Sequence, residues 1–332
     1  MCGADAALES GPAMEEKLIR TCSIWRALEV VGDTSTILIL EASWLGARKF
    51  DQFRTRTGLR QSLLSDRLKK LVAADVMAKA QYSSSPPRFE YRMTRKGLDL
   101  YWPSLMMLRW EHRWAAPTGD KCDVQLTHKT CGKRFEPTPT CTACGDEINA
   151  KDMSWSPGPG VGWMSAQYSR RRQHRDSPSD RPPSSTLMDE VAQIMGDRWA
   201  GLVLRALFTG LRKFDEILND SGMATNILSE RLQWLISKGM IRTHEYSAVP
   251  KRYEYRLTRK GIDYYPVLLM LMQWGDKYYV APEGPPLLLR HKRDAHDLRA
   301  VVTCSACGGE VRPQDVDFNV IEPARAAVAT SA

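Results

Sequence analysis

Two stretches of the sequence carry residue types that bind transition metals. In "HKTCGKRFEPTPTCTACG", His128, Cys131, Cys141 and Cys144 stand in the order H-x2-C-x9-C-x2-C. In "HKRDAHDLRAVVTCSACG", His291, Asp294, Cys304 and Cys307 repeat that order with Asp in the second place. Four soft or borderline donors at ribbon-like spacing can surround a tetrahedral Zn2+. The first set is complete as three cysteines and a histidine. The second substitutes a carboxylate, which zinc accepts less commonly in a structural site. A C-x-x-C-G stretch also makes a tight hairpin turn without metal, so both readings stand. Zn2+ is the one cofactor the sequence raises.

No enzyme is expected. The sequence shows no nucleophile elbow, phosphate loop, dinucleotide fingerprint or H-E-x-x-H. Neither Cys/His tail places a Glu where a zinc deaminase has its H-x-E base. The N-terminal "MCGADAALESGPAMEEKLIR" has no basic segment followed by an apolar core, so a cytoplasmic chain is expected. There the eight cysteines read as metal or redox groups before disulfides. No apolar run approaches the length of a membrane span, and no membrane partner is expected. Lys and Arg number 47 against 39 Asp and Glu, a net charge of +8. That excess suits a polyanion, with nucleic acid first and an anionic membrane surface second.

The chemistry-bearing stretches sit behind a duplication. "RFEYRMTRKG" (Arg88 to Gly97) returns as "RYEYRLTRKG" (Arg252 to Gly261), with eight of ten positions identical. At the same offset Gly32, Gly46, Gly58, Arg67 and Trp110 meet Gly196, Gly210, Gly222, Arg231 and Trp274. A repeat of about 100 residues is a duplicated domain, because solenoid periods run roughly 20–50. The expected division is a flexible N-terminus over 1–18, a first domain over 19–118 and a Cys/His tail over 119–155. A Pro-, Gly-, Ser- and Arg-rich flexible linker follows over 156–186. A second domain over 187–282, a second tail over 283–322 and a disordered end over 323–332 complete it.

Within one copy the patterns run helix, helix, short helix, polar-faced helix, hairpin, helix. "TSTILILEASW" suits a buried helix. "RQSLLSDRLKKLVAAD" repeats Leu63, Leu64, Leu68 and Leu71 at helical spacing. "VMAKAQY" and "RFEYRMT" read as strands, the second alternating so that Phe89, Tyr91 and Met93 pack inward. The fold class is mainly α with small β-hairpin wings, an α+β architecture. It holds two winged helix-turn-helix domains, each followed by a short β-rich Cys/His tail.

"GARKF", "LLSDRLKKLVAADV", "PPRFEYRMTRKG" and the helix carrying Trp110 resemble the HxlR-type helix-turn-helix regulators. So do "GLRKF", "ILSERLQWLISKGMI", "PKRYEYRLTRKG" and Trp274 in the second copy. The resemblance implies a bacterial DNA-binding transcription factor that dimerises through helices flanking each winged helix. Cys22 matches a cysteine often found before the first helix in that family, and the second copy has Leu187 or a neighbour there.

The polar-faced helices are then the recognition helices, which a helix-turn-helix lays in the major groove. Side chains that hydrogen-bond base edges are Arg60, Gln61, Ser62 and Ser65, with Thr225, Asn226 and Ser229 in copy two. Candidates for the phosphates are Lys49, Lys69 and Arg88, with Lys213, Lys251 and Arg252. Arg67 and Arg231 read instead as structural, tied to a carboxylate inside the domain. Because Trp234 replaces Lys70, unequal half-sites or dominance of copy one are expected. The function expected is a sequence-specific double-stranded DNA-binding regulator, a repressor, cytoplasmic and nucleoid-associated when bound. Self-association as a homodimer and a small-molecule effector stay open as partners. The alternative is a winged-helix protein-interaction or zinc/redox sensor module without strong sequence-specific DNA binding.

Overall fold

The computed structural model describes residues 18–115, 122–165, 187–293 and 295–321. Copy one begins with β1 (Leu18–Arg20), α1 (Ser23–Val31) and α2 (Thr34–Trp44). α2 is buried along most of its length, as an apolar helix without a polar stripe must be. Asp33 starts it, its carboxylate accepting from the Thr36 N–H at 2.9 Å. α3 (Phe50–Thr57) ends on Gly58 in the left-handed region at φ 64°, a conformation that glycine adopts without a Cβ clash. α4 (Gln61–Ala73) buries Leu64, Leu68 and Leu71, one face of a helix. The hairpin of β2 (Met77–Ser84) and β3 (Pro87–Met93) forms the wing. The short α5 (Arg95–Leu98) and long α6 (Tyr101–Trp114) close the copy.

The first tail holds β4 (Asp123–His128), β5 (Lys133–Arg134), β6 (Pro137–Cys141), β7 (Met153–Pro157) and β8 (Trp163–Ser165). Copy two repeats the plan. It runs α7 (Asp189–Met195), α8 (Arg198–Phe208), α9 (Phe214–Ser221), α10 (Thr225–Ser237), β9 (Ile241–Ala248), β10 (Lys251–Leu257), α11 (Arg259–Ile262) and α12 (Tyr265–Tyr279). Its tail supplies β11 (Leu287–His291), β12 (Ala300–Cys304) and β13 (Val316–Ile321).

The two copies share one hydrophobic core. α1 packs on α12, α12 on α6, and α6 on α7, so the helices flanking each winged helix meet within the chain. The contacts are reciprocal. Trp110 Nε1 donates to the Lys260 carbonyl at 3.0 Å, and Trp274 Nε1 to the Lys96 carbonyl at 3.0 Å. Each lysine ammonium also lies over the opposite indole, at 5.1 and 5.9 Å. Glu111 on α6 accepts from the Glu190 and Val191 N–H groups at the start of α7. The equivalent residue in α12 is Gly275, where an added Cβ would stand 2.2 Å from the Ser23 carbonyl oxygen. One side of the interface is therefore a carboxylate grip and the other a close helix contact.

The tails are interleaved. β4 pairs with β13, β6 with β12 and β7 with β11, each antiparallel and each joining strands of opposite tails. β8 returns to pair with β1. The expected linker over 156–186 is thus corrected in its first part, since Ser156 and Pro157 belong to β7 and residues 163–165 to β8. The remainder from 166, the expected N-terminal segment up to residue 17 and the expected end from 323 lie outside the described residues.

Candidate nucleic-acid interface and cysteine–histidine clusters

Each winged helix is tied together by matching bonds. Arg67 Nε lies 2.9 Å from Asp33, and Arg231 Nε 2.6 Å from Asp197, so these arginines join the recognition helices to the caps of α2 and α8. The Tyr91 and Tyr255 N–H groups donate to the Arg48 and Arg212 carbonyls, both at 2.8 Å, which fixes each wing beside the start of α3 or α9. The Phe53 ring meets Tyr91 edge-on at 6.3 Å, placing this tyrosine under the wing.

The candidate DNA residues are mostly at the surface. Arg60, Gln61, Ser62 and Lys69 on or beside α4 are exposed, and Ser65 is half-buried. Thr225, Asn226 and Ser229 on α10 are exposed. The residues at the N-caps, Arg60 and Ala224, make no side-chain capping hydrogen bond to their helices. Lys49 and Lys213 lie over the wing rings of Tyr82 and Tyr246, at 4.9 and 5.6 Å. Arg88, Lys251 and Arg252 are exposed on the wings, and Lys251 reaches Glu245 at 3.3 Å.

The structure alters two details of the sequence reading. Phe89 does not pack inward with Tyr91. It is 38% exposed with the Lys79 ammonium 4.0 Å from its ring, because the wing extends beyond the core that would cover it. Lys70 is half-buried and 3.9 Å from Asp33, so its charge serves the domain. The charge contrast between the recognition helices then falls on exposed Lys69, whose counterpart is the exposed Gln233. The exposed wing aromatics Tyr82 and Tyr246 were missed by sequence reasoning. Their signal was a tyrosine on the face of each strand opposite to the core.

The candidate metal ligands come together in a different grouping from that expected. His128 and Cys131 of the first tail join Cys304 and Cys307 of the second. Cys141 and Cys144 join His291 and His296. The within-tail sets, His128–Cys131–Cys141–Cys144 and His291–Asp294–Cys304–Cys307, are corrected. Antiparallel pairing of β6 with β12 carries each C-x-x-C turn to the other tail's histidine. Asp294 lies outside the described residues, and His296 supplies the second donor beside His291.

In the first cluster His128 Nδ1 is 3.3 Å from Cys307 Sγ and 3.7 Å from Cys131 Sγ, and Cys131 Sγ is 4.0 Å from Cys304 Sγ. The other ring nitrogen, Nε2, is buried with no hydrogen-bond partner among the described residues. In the second, Cys141 Sγ is 3.1 Å from His296 Nε2 and Cys144 Sγ 3.3 Å from His291 Nδ1. Gly145 and Gly308 close the two turns at φ 76° and 72°, their N–H groups donating to the Cys141 and Cys304 carbonyls. Burial pushes the Cys141 thiol up, but the backbone N–H groups of Cys144 and Ala143 and the His296 ring bring it down to about 7. The Gly309 N–H leads the groups that hold the Cys307 thiol below the usual thiol range.

An open cleft of about 390 Å³ lies where α5 and α6 meet α12 and the second tail. Tyr101, Trp102 and Trp274 line it, with Arg95, Lys277 and Arg312.

The model of the HxlR-like helix-turn-helix family matches residues 30–118 and 194–283. The chain is similar to an uncharacterised HTH-type transcriptional regulator of Mycobacterium tuberculosis, 38% identical over 138 residues, 42% of this chain and 87% of that protein. It is also similar to an uncharacterised HTH-type transcriptional regulator of Synechocystis, 34% identical over 92 residues, 27% of this chain and 68% of that one. Among solved structures, diamide-treated YodB from Bacillus subtilis is 25% identical, covers 33% of this chain and 100% of that chain, and has a TM-score of 0.25.

Proposed function

Because the chain belongs to the HxlR-like helix-turn-helix family in both of its halves, we propose that one chain is a complete bipartite, sequence-specific regulator of transcription that acts as a repressor. The reciprocal Trp110–Lys260 and Trp274–Lys96 contacts carry the reading. They use, inside one chain, the flanking helices through which two separate chains would pair. α4 and α10 then enter successive major grooves, and the wings meet the backbone. Gln61 and Ser62 on one side, and Thr225 and Asn226 on the other, read base edges. Lys49, Lys69, Arg88, Lys213, Lys251 and Arg252 neutralise phosphates. Repression follows from occupying the promoter. A small-molecule effector would lie in the cleft between α6 and α12.

A gel-shift with DNA flanking the protein's own gene, titrated with salt, tests this. One chain should bind one duplex, with affinity falling steeply as salt rises. Lys69→Glu should weaken binding about tenfold at low salt. Asn226→Ala should relax the base preference of one half-site only. Binding without sequence preference at every salt concentration would defeat the proposal and favour a protein-interaction or sensor module.

A further inference from the structure

We propose that the interleaved tails hold two Zn2+ ions, one at His128, Cys131, Cys304 and Cys307 and the other at Cys141, Cys144, His291 and His296, each ion bridging the two halves of the chain. The geometry fits the ion. Zn–S bonds near 2.3 Å and Zn–N bonds near 2.0–2.1 Å in a tetrahedron require about 3.8 Å between sulfurs and about 3.6 Å between sulfur and nitrogen. The closest sulfur–nitrogen pairs stand at 3.1–3.7 Å and the Cys131–Cys304 sulfurs at 4.0 Å. In each cluster the ligand atoms all lie within 4.8 Å of one another. Both donor sets are complete four-ligand sets of sulfur and imidazole, which close the coordination sphere as structural zinc sites do.

The surroundings are built for it. His128, His291, Cys141 and Cys304 are each 4% exposed or less, so two imidazoles and two thiols are withdrawn from water. Each C-x-x-C turn is fixed by a glycine beyond its second cysteine. A Cβ on Gly309 would stand 3.3 Å from His128 Cε1 and 3.4 Å from Cys307 Sγ, so the chain approaches the cluster closely there. Burying four such groups on strand ends is costly unless something pairs them. A metal ion pairs all four at once. Because every site takes two ligands from each tail, the ions also fasten together segments far apart in the sequence. α6 holds the first tail through Arg109, which donates to the Pro137 carbonyl, and α12 holds the second through Gln273, bonded to Ala300. The sites thereby act as clamps across the two winged helices.

The ligand pairing is distinctive and does not depend on DNA binding. The purified full-length chain, desalted and measured by elemental analysis, should carry two zinc per chain. Cys131→Ser/Cys304→Ser removes two ligands of one site and should leave one zinc. Cys131→Ser/Cys141→Ser damages both sites and should leave none. The opposite pattern would place each ion within a single tail and overturn the bridging arrangement. A metal-free wild-type chain from zinc-supplied cells would overturn zinc binding itself. Should the double variants not fold, a milder pair decides. His296→Asn should release one of the two ions to a chromogenic chelator at least about tenfold more readily than wild type, and Asp294→Asn should release neither. Sensitivity at Asp294 with none at His296 would refute the assigned ligands.

Discussion

Glu41 is 4% exposed in α2 and accepts the Leu187 and Met188 N–H groups at 3.0 and 3.2 Å, where copy two begins. Burial pushes its carboxyl up to about 7 from an ordinary 4.5. The two N–H donors work against that shift, and the nearby Glu111 and Asp189 carboxylates add to it. Between those values the folded chain binds a proton that the unfolded chain has released. Its contribution to stability is therefore complete below about pH 4.5 and lost as pH rises through about 7. The shift corresponds to something on the order of 3 kcal/mol. Glu41→Gln removes the titration but leaves a buried amide N–H2 without a designed partner, at a cost of about 1–3 kcal/mol. Thermal melts at pH 5 and pH 8 should show the variant below wild type at the lower pH, with the gap closing or reversing at the higher. Parallel curves would mean that Glu41 stays ionised in the fold.

Among the elements, the packing of α1 on α12 depends on one missing side chain. Gly275 lets the Ser23 backbone approach to where a Cβ would be 2.2 Å from its carbonyl oxygen. Ser23 also hydrogen-bonds Asp276, one residue on. Gly275→Ala should cost about 1–3 kcal/mol in urea unfolding by forcing the helices apart, despite the better helix propensity of alanine. A neutral or stabilising result would show that α1 can shift without loss. The sequence could not reveal this contact, since the partner of Gly275 lies more than 250 residues away and its repeat counterpart is Glu111. What could be read were elements set by local patterns. The Leu64–Leu68–Leu71 stripe gave α4, the stretch from Thr34 to Trp44 gave α2, and alternation gave β3. The tails were legible as sites only in part. H-x2-C and C-x2-C have the same spacing whether they join within a tail or across tails, and strand pairing decides between the two. Position by position, Asp294 is the counterpart of Cys131, whereas His296, which meets Cys141, stands two residues further on and has no counterpart in that motif.

At the scale of the molecule, two winged helices are joined by three kinds of connection: the α1–α12 and α6–α7 packing, the paired strands of opposite tails, and the proposed metal clamps. Such a body cannot change the spacing between its recognition helices without breaking several of these at once. Two free-standing domains on a linker could follow their half-sites as the sites moved apart, because a flexible linker adapts its span. On the proposed operator, the rigid body requires half-sites at one separation, which for a helix-turn-helix pair is about one helical turn or a multiple of it. Inserting about five base pairs between half-sites turns one to the opposite face of the duplex and moves it about 17 Å along the axis. Affinity should then fall to that of a single half-site, a loss of at least about a hundredfold when each site supplies a few kcal/mol. A full-turn insertion restores the face but not the distance, so it should remain nearly as weak. Recovery with the full-turn insertion would show that the two halves separate on DNA, and that the contacts joining them open when the operator asks for it.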